Sequence, residues 1–218
     1  MALRRYRRVR RPLRRYRRRR RKFFRRKSRV GKSDLLVKLT KIDTVNVDIS
    51  KINVWSLSYL PTDFSEYNEL KKNFEYCVFL KERVTIYPMQ NIANNSTSQV
   101  PAYLMAPWHR GGPASATFNT YLTIDRAKIF RGTQVGSQTY VPSVLIEGLS
   151  DSGGGTSSPD MIQFRPKVYI SNSQTRAIRI YNGIIAFQGN GEMTGTARYN
   201  VKHDVWVVFK KQNTLASL

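Results

Sequence analysis

Apolar residues recur at every second position in several stretches of the chain. Val45, Val47 and Ile49 alternate with Asn46, Asp48 and Ser50, and a period of two predicts a strand with one face on a core. Phe164, Pro166, Val168 and Ile170 repeat the pattern, with Pro166, which lacks a ladder donor, marking a strand start or an edge. In residues 76–87, Val78, Leu80, Val84 and Ile86 define an inward face and Lys81, Arg83 and Thr85 the other. Glu82 interrupts the inward set and marks a twist, a bulge or a buried ion pair. Residues 205–209, VWVVF, are apolar on both faces, which suits a central strand covered on each side or one facing a neighbouring subunit.

Further strands are predicted at about 35–41, 52–59, 118–124, 127–131, 140–147, 176–187 and 203–211. One short helix is predicted where Asp63 caps and Glu66 follows three positions on, with Tyr67, Leu70 and Lys71 behind it and an end near Asn73. Gly, Pro, Asn and Ser signal loops at 91–99, 107–115, 132–138, 150–159 and 189–196. Eight to ten strands joined by long loops predict an all-β antiparallel sandwich or jelly roll, because an α/β sheet needs recurrent helices. No stretch is apolar for the roughly 18 residues a membrane-spanning helix needs, and no signal peptide is expected.

Charge divides the chain in two. Of 218 residues, 38 are Lys or Arg and 14 are Asp or Glu. Residues 1–32 hold 19 of the basic residues and no acid, leaving 19 basic and 14 acidic residues, a net +5, for residues 33–218. The division predicts a basic arm over 1–32, too self-repelling and too poor in apolar residues to fold alone, and one folded domain over 33–218. In the arm, Arg4, Arg5, Arg7, Arg8, Arg10, Arg11, Arg14, Arg15, Arg17, Arg18, Arg19, Arg20, Arg21, Lys22, Arg25, Arg26 and Lys27 are candidate phosphate contacts. Guanidinium groups bridge phosphates bidentately, while Tyr6, Tyr16, Phe23 and Phe24 can stack on bases. The combination describes a sequence-tolerant grip on nucleic acid, single-stranded in particular. A membrane surface or a heparin-like polymer is the alternative partner, and the same basic clusters read as a nuclear localisation signal. Gly31-Lys32-Ser33 imitates the end of a phosphate-binding loop, but the motif's first glycine would fall on Arg26 and no strand precedes it.

The folded part offers little catalytic chemistry. Cys77 is the only cysteine, so no internal disulfide or cysteine zinc cluster can form, and its simplest role is a small apolar side chain in the core. His109 and His203 lack the carboxylate spacing of a metal motif and are expected in ordinary surface or interface roles; Trp108 beside His109 suits an interface, a base stack or loop packing. Glu147, Asp151 and Asp160 flank a Gly/Ser loop without the ordered oxygen ligands of a calcium site, and Ser150 and Ser152 lack a nucleophile elbow. The sequons at Asn94 and Asn95 are expected to stay unmodified. Tyr59, Tyr76, Tyr87, Tyr169 and Tyr181 are expected to pack sheets rather than to form a base-stacking row. No catalytic residue, metal or cofactor is expected.

Residues 74–88, FEYCVFLKERVTIYP, resemble the F-E-Y-Y-x-I-x-K-V-x-V-x-F-x-P region of circovirus capsid proteins. The Arg/Tyr-rich start, the total length and a last strand similar to VWVVFKK at 205–211 agree with that family and its cyclovirus relatives. The resemblance implies a single viral jelly roll of two four-stranded sheets, with sixty copies closing a T=1 icosahedral shell around circular single-stranded DNA. It also implies a nuclear import signal on the Arg and Lys residues of 4–27. The partners to be expected are then the DNA genome, further copies of the chain with pentamers as intermediates, nuclear import receptors, and a cell-surface receptor for which a sulfated glycan is one candidate. The expected places are the virion and, during assembly, the host nucleus.

Two other classes compete with the shell. A non-assembling nucleic-acid binder of ribosomal or chromatin type would also carry a basic tail, though it would more often spread charge over its folded surface as well. An enzyme with a basic targeting tail would need a convergent catalytic pocket, which no residue pair here suggests.

Overall fold

A computed structural model describes residues 34–89, 100–111, 117–147, 159–170, 178–192 and 194–212. Among these residues, eleven strands and two short α-helices follow in chain order: β1 Leu35–Asp48, β2 Asn53–Ser56, α1 Ser65–Leu70, β3 Phe74–Pro88, β4 Tyr103–Pro107, α2 Phe118–Leu122, β5 Lys128–Phe130, β6 Gly136–Tyr140, β7 Ser143–Glu147, β8 Pro159–Phe164, β9 Lys167–Tyr169, β10 Gly183–Phe187 and β11 Thr196–Gln212. The first sheet runs β1-β11-β3-β6 and the second β2-β10-β4-β5, all antiparallel, with β7 and β8 as a separate hairpin. This is the jelly roll. The fourth position of the first sheet is shared, since β6 pairs with Glu82–Ile86 of β3 and β9 with Tyr76–Val78. The β7–β8 hairpin is inserted between those two pieces.

The sandwich forms because inward positions of both sheets are apolar and meet face to face. Tyr103 and Met105 of β4 and Ile185 and Phe187 of β10 pack on Val84, Ile86, Tyr199 and Val201 of the first sheet. Towards the other end, Tyr59, Phe64 and the α1 residue Tyr67 fill the space under Leu39, Phe79, Val205 and Phe209. Gly183 lets the sheets close at one point, because a Cβ there would lie 2.6 Å from the Ala106 carbonyl oxygen and 2.7 Å from the Tyr140 ring. Cys77 is a free, fully buried thiol, as expected, and burial pushes its pKa up to about 12, a Tyr67 hydrogen bond offsetting part of that rise.

Four expectations are corrected. Residues 118–124 do not form a strand: α2 occupies 118–122 and buries Phe118 and Tyr121, three apart, while Leu122 is exposed. In β3 the register slips opposite Trp206 and Val207, leaving Leu80 as an extra residue. This bulge reverses the phase of the N-terminal half, so Cys77 and Phe79 point inward in place of Val78 and Leu80. Phe164 is exposed, because the chain breaks at Arg165 (φ 52°) before Pro166 and Val168 return to the interior. Asp63 does not cap α1; its Oδ2 accepts from the Leu60 amide at 2.9 Å and closes the 3-10 turn Pro61–Asp63.

The bulge expected around Glu82 lies just before it in β3, and its buried carboxyl is hydrogen-bonded to His203. β11 is the central strand its apolar run suggests, with β1 on one side and β3 on the other.

Candidate nucleic-acid interface

The arm residues proposed from the sequence, Arg4 to Lys27 with Tyr6, Tyr16, Phe23 and Phe24, lie outside the described residues, as do Asp151, Ser150, Ser152 and the two sequons. The chain enters the fold at Asp34, whose carboxylate lies 2.9 Å from Lys210 Nζ near the end of β11. That contact raises the Lys210 pKa, the Asp34 hydrogen bond being the main cause. The arm is therefore joined to the first sheet at the corner formed by β1, β11 and β3.

The outward face of this sheet is basic and aromatic. Strand alternation sends Arg198, Lys202, Trp206 and Lys210 of β11 to one side and Val201, His203, Val205, Val207 and Phe209 to the other. Beside them β3 presents Tyr76, Lys81, Arg83 and Tyr87, β1 presents Lys38, and β9 presents Lys167 and Tyr169. Cross-strand register then sets the pairs. Lys38, Trp206 and Lys81 are directly opposite one another on three strands, with Lys81 Nζ 4.3 Å from the Trp206 ring centroid. Lys167 Nζ lies 3.9 Å from the ring of Tyr76, its diagonal neighbour. Such cation–ring stacks hold ammonium groups at the surface without a carboxylate partner.

Asp204 is the carboxylate in the middle of this face. It accepts from Thr40 Oγ1 at 2.9 Å and lies 3.3 Å from Lys202 Nζ and 3.7 Å from Lys38 Nζ. Partial burial raises its pKa, but the Thr40 and Lys202 hydrogen bonds and the two ammonium charges outweigh it, leaving the carboxyl below its ordinary value. Tyr76, Tyr87 and Tyr169 lie on this face and Tyr59 in the core, a choice of faces that their spacing alone does not make. Lys81 and Arg83 were legible as one strand face. That β11, β1 and β9 extend this face was not legible, because strand neighbours some 90 to 170 positions apart leave no local signal.

Behind the face lies a buried carboxyl–imidazole pair. Glu82 is fully buried, and its Oε1 shares a 2.6 Å hydrogen bond with His203 Nδ1. His203 Nε2 is 3.7 Å from Asp43, which holds Lys41 Nζ at 2.9 Å. Desolvation raises the Glu82 pKa, opposed by the His203 hydrogen bond and by the charges of His203 and Lys41. His203 is thus an interior group, not the surface or interface residue expected. His109 hydrogen-bonds Ser143 Oγ at 2.7 Å, and that hydroxyl donates to the Tyr181 carbonyl at 3.1 Å, so the pair ties β7 to the chain before β10. Trp108 packs edge-on against Tyr121, ordinary loop packing. Among the described residues no group of three or more His, Cys, Asp or Glu side chains could hold a metal ion.

The face as a whole offers cations for phosphates and rings for bases, the two elements of sequence-tolerant single-strand binding. A family model described as circovirus capsid protein matches residues 4–213. A capsid protein of Human associated cyclovirus 1 is 42% identical over 190 residues, covering 85% of this chain and 86% of that one. Among solved structures, a 60-mer BFDV capsid protein superposes with a TM-score of 0.60 at 15% identity over 82% of this chain and 94% of that one. A Cucumber Leaf Spot Virus chain superposes at 0.55 and 9% identity, covering 84% of this chain and 52% of that one.

Proposed function

This chain belongs to the circovirus capsid protein family, and we propose that sixty copies close a T=1 shell around circular single-stranded DNA. As a member of a capsid family it is a structural protein and not an enzyme. The observation that carries the proposal is the partition of charge, +19 over residues 1–32 against +5 over the rest, with the arm joined to the fold beside the basic sheet face. Sixty arms, at sixty times +19, bring about 1,100 positive charges into one particle, enough to neutralise on the order of a thousand phosphates. One arm alone cannot offset the repulsion of a packaged genome. The related BFDV capsid protein, solved as a 60-mer, supports the copy number.

In this reading the Arg and Lys residues of 4–27 neutralise phosphates, Tyr6, Tyr16, Phe23 and Phe24 stack on bases, and the outward face of the first sheet forms the wall beside them. Before assembly the same arm directs nuclear import. Packaging then depends on salt, since counterion release drives it, while shell contacts depend more on the body.

The test is removal of residues 1–32. The expected product keeps the jelly roll by circular dichroism and loses nucleic acid by the 260/280 nm absorbance ratio of purified particles. Undiminished nucleic-acid content in particles of the shortened chain overturns the proposal. A reporter fused to residues 1–32 is expected to accumulate in nuclei, and a cytoplasmic reporter removes the import role alone.

A further inference from the structure

At the edge of the sandwich where β6 ends the first sheet and β5 the second, an open depression of about 410 Å³ is lined by Arg83, Arg126, Lys128, Ser137, Gln138 and Thr139. Its three cations come from three separate elements: β3, the turn after α2, and β5. No carboxylate belongs to the lining. Arg83 is oriented by a hydrogen bond from its Nε to Ser137 Oγ at 2.8 Å, and Thr85 Oγ1 donates to the same hydroxyl oxygen at 3.4 Å. Asp125 lies 3.6 Å from Arg126 Nε, but its side chain is 94% exposed, so solvent screens the pair.

Arg126 shows that the arrangement is built. The Ala127 amide donates to the Ile124 carbonyl at 3.0 Å, closing a turn in which Arg126 is the third residue. Its φ of 63° falls in the left-handed region, where this turn position ordinarily takes Gly or Asn. An arginine there carries backbone strain that a glycine would not, and such strain persists only where the surroundings enforce it. The enforcing group is Gln138, 5% exposed, whose Nε2 donates to the Arg126 carbonyl at 2.9 Å. A buried amide side chain thus holds a strained residue whose guanidinium lines a cationic depression.

We propose that this depression is a binding site for a phosphate group, taken as a tetrahedral oxyanion. Guanidinium forks grip such an anion bidentately; Lys128 adds charge, and the Ser137 and Thr139 hydroxyls add donors. The site is distinct from the arm and does not rest on the shell proposal: it is assembled from folded strands of a single chain and operates whether or not packaging fails in the shortened protein.

The experiment is thermal unfolding of the full-length chain in sodium phosphate against sodium chloride at equal pH and ionic strength. Phosphate bound by the fold raises the wild-type Tm, by about 3 °C when phosphate is well above its Kd. Arg126→Gly relieves the left-handed strain, so its Tm in chloride is expected to equal or exceed that of the wild type, yet most of the phosphate-dependent rise disappears. Lys128→Ala, an exposed change outside the turn, is expected to lose most of the rise too. Contributions from residues 1–32 are common to all three chains and cancel. Repeating the series with thymidylyl-thymidine, which carries one phosphodiester, separates the sources. A rise lost in Arg126→Gly with this dinucleotide assigns the site to a nucleic-acid backbone, and one seen only with inorganic phosphate assigns it to a free anion. No rise in the wild type with either probe, or an equal rise in wild type and both variants, overturns the site.

Discussion

The two sheets of this sandwich turn very different faces outward. On the second sheet, Leu104, Ala106, Ile184 and Ala186 face away from the sandwich core and are fully buried, because Phe118 and Tyr121 of α2 lie over them with Trp108 packed alongside. On the first, the corresponding positions carry Lys38, Lys81, Arg83, Lys202 and Trp206, and among the described residues no helix lies over them. One sheet therefore finds its cover within the chain and contributes it to stability. The other leaves charge and rings at the surface, tied to one another by the Asp204 ion pairs and the Lys81–Trp206 stack. The contrast separates a sheet face covered by a helix of the chain from one that no described helix covers, within a single pair of sheets.

Substitutions on the two faces should separate accordingly. Ile184→Ala, beneath α2, is expected to cost about 2–5 kcal/mol in urea unfolding, the usual range for a large-to-small change at a fully buried site. A loss under about 1 kcal/mol means α2 is not an integral cover. Asp204→Asn on the basic face removes a carboxylate whose pKa is depressed. Its stabilisation, of the order of 1 kcal/mol or less, is present above the ordinary value of 3.8 and is lost as pH falls through the lower folded value. The variant should thus match the wild type in strong acid and fall below it at neutral pH.

Behind the same face, Glu82 has the opposite sign. Its pKa is raised above 4.5, so its contribution is fully present below 4.5 and is lost as pH rises through the higher folded value. His203, Lys41, Asp43, Tyr59 and Tyr140 are the titratable groups around it. Glu82→Gln is expected to flatten the decline in Tm above pH 4.5, and an unchanged profile removes Glu82 as its source. The smallest effect on stability belongs to Lys81→Ala and Lys202→Ala, expected within about 0.5 kcal/mol of wild type. Each should nevertheless reduce the salt slope of single-stranded DNA binding by about 1 if it contacts a phosphate. Unchanged slopes in both variants would remove Lys81 and Lys202 from the DNA contacts.

Much of the architecture was readable from residue order, and the misreadings share a physical cause. Val45 and Val47 keep their period in β1, and Ile49, one residue past its end, continues it onto the core. FNTYL fits a period of two through Phe118 and Thr120 and a period of three through Phe118 and Tyr121. The second applies because the outward face of the second sheet needs covering, a demand set by β4 and β10 rather than by 118–122 itself. β4, YLMAP, was not anticipated as a strand, since it is buried on both faces and lacks alternation. In β3 one extra residue at Leu80 moved Val78 to the outward face, and a bulge is visible only once β11 is paired with β3.

Residue order alone was enough to establish the concentration of charge in residues 1–32, the isolation of Cys77, the all-β class, and the family resemblance at residues 74–88. Those properties are local or additive, so counting and spacing reveal them. The basic face, the Glu82–His203 pair and the Arg83–Arg126–Lys128 depression came into view only with the folded chain. Each joins strands or turns more than forty residues apart, through pairings that no local pattern encodes: β1 with β11, β3 with β11, and β3 with β6.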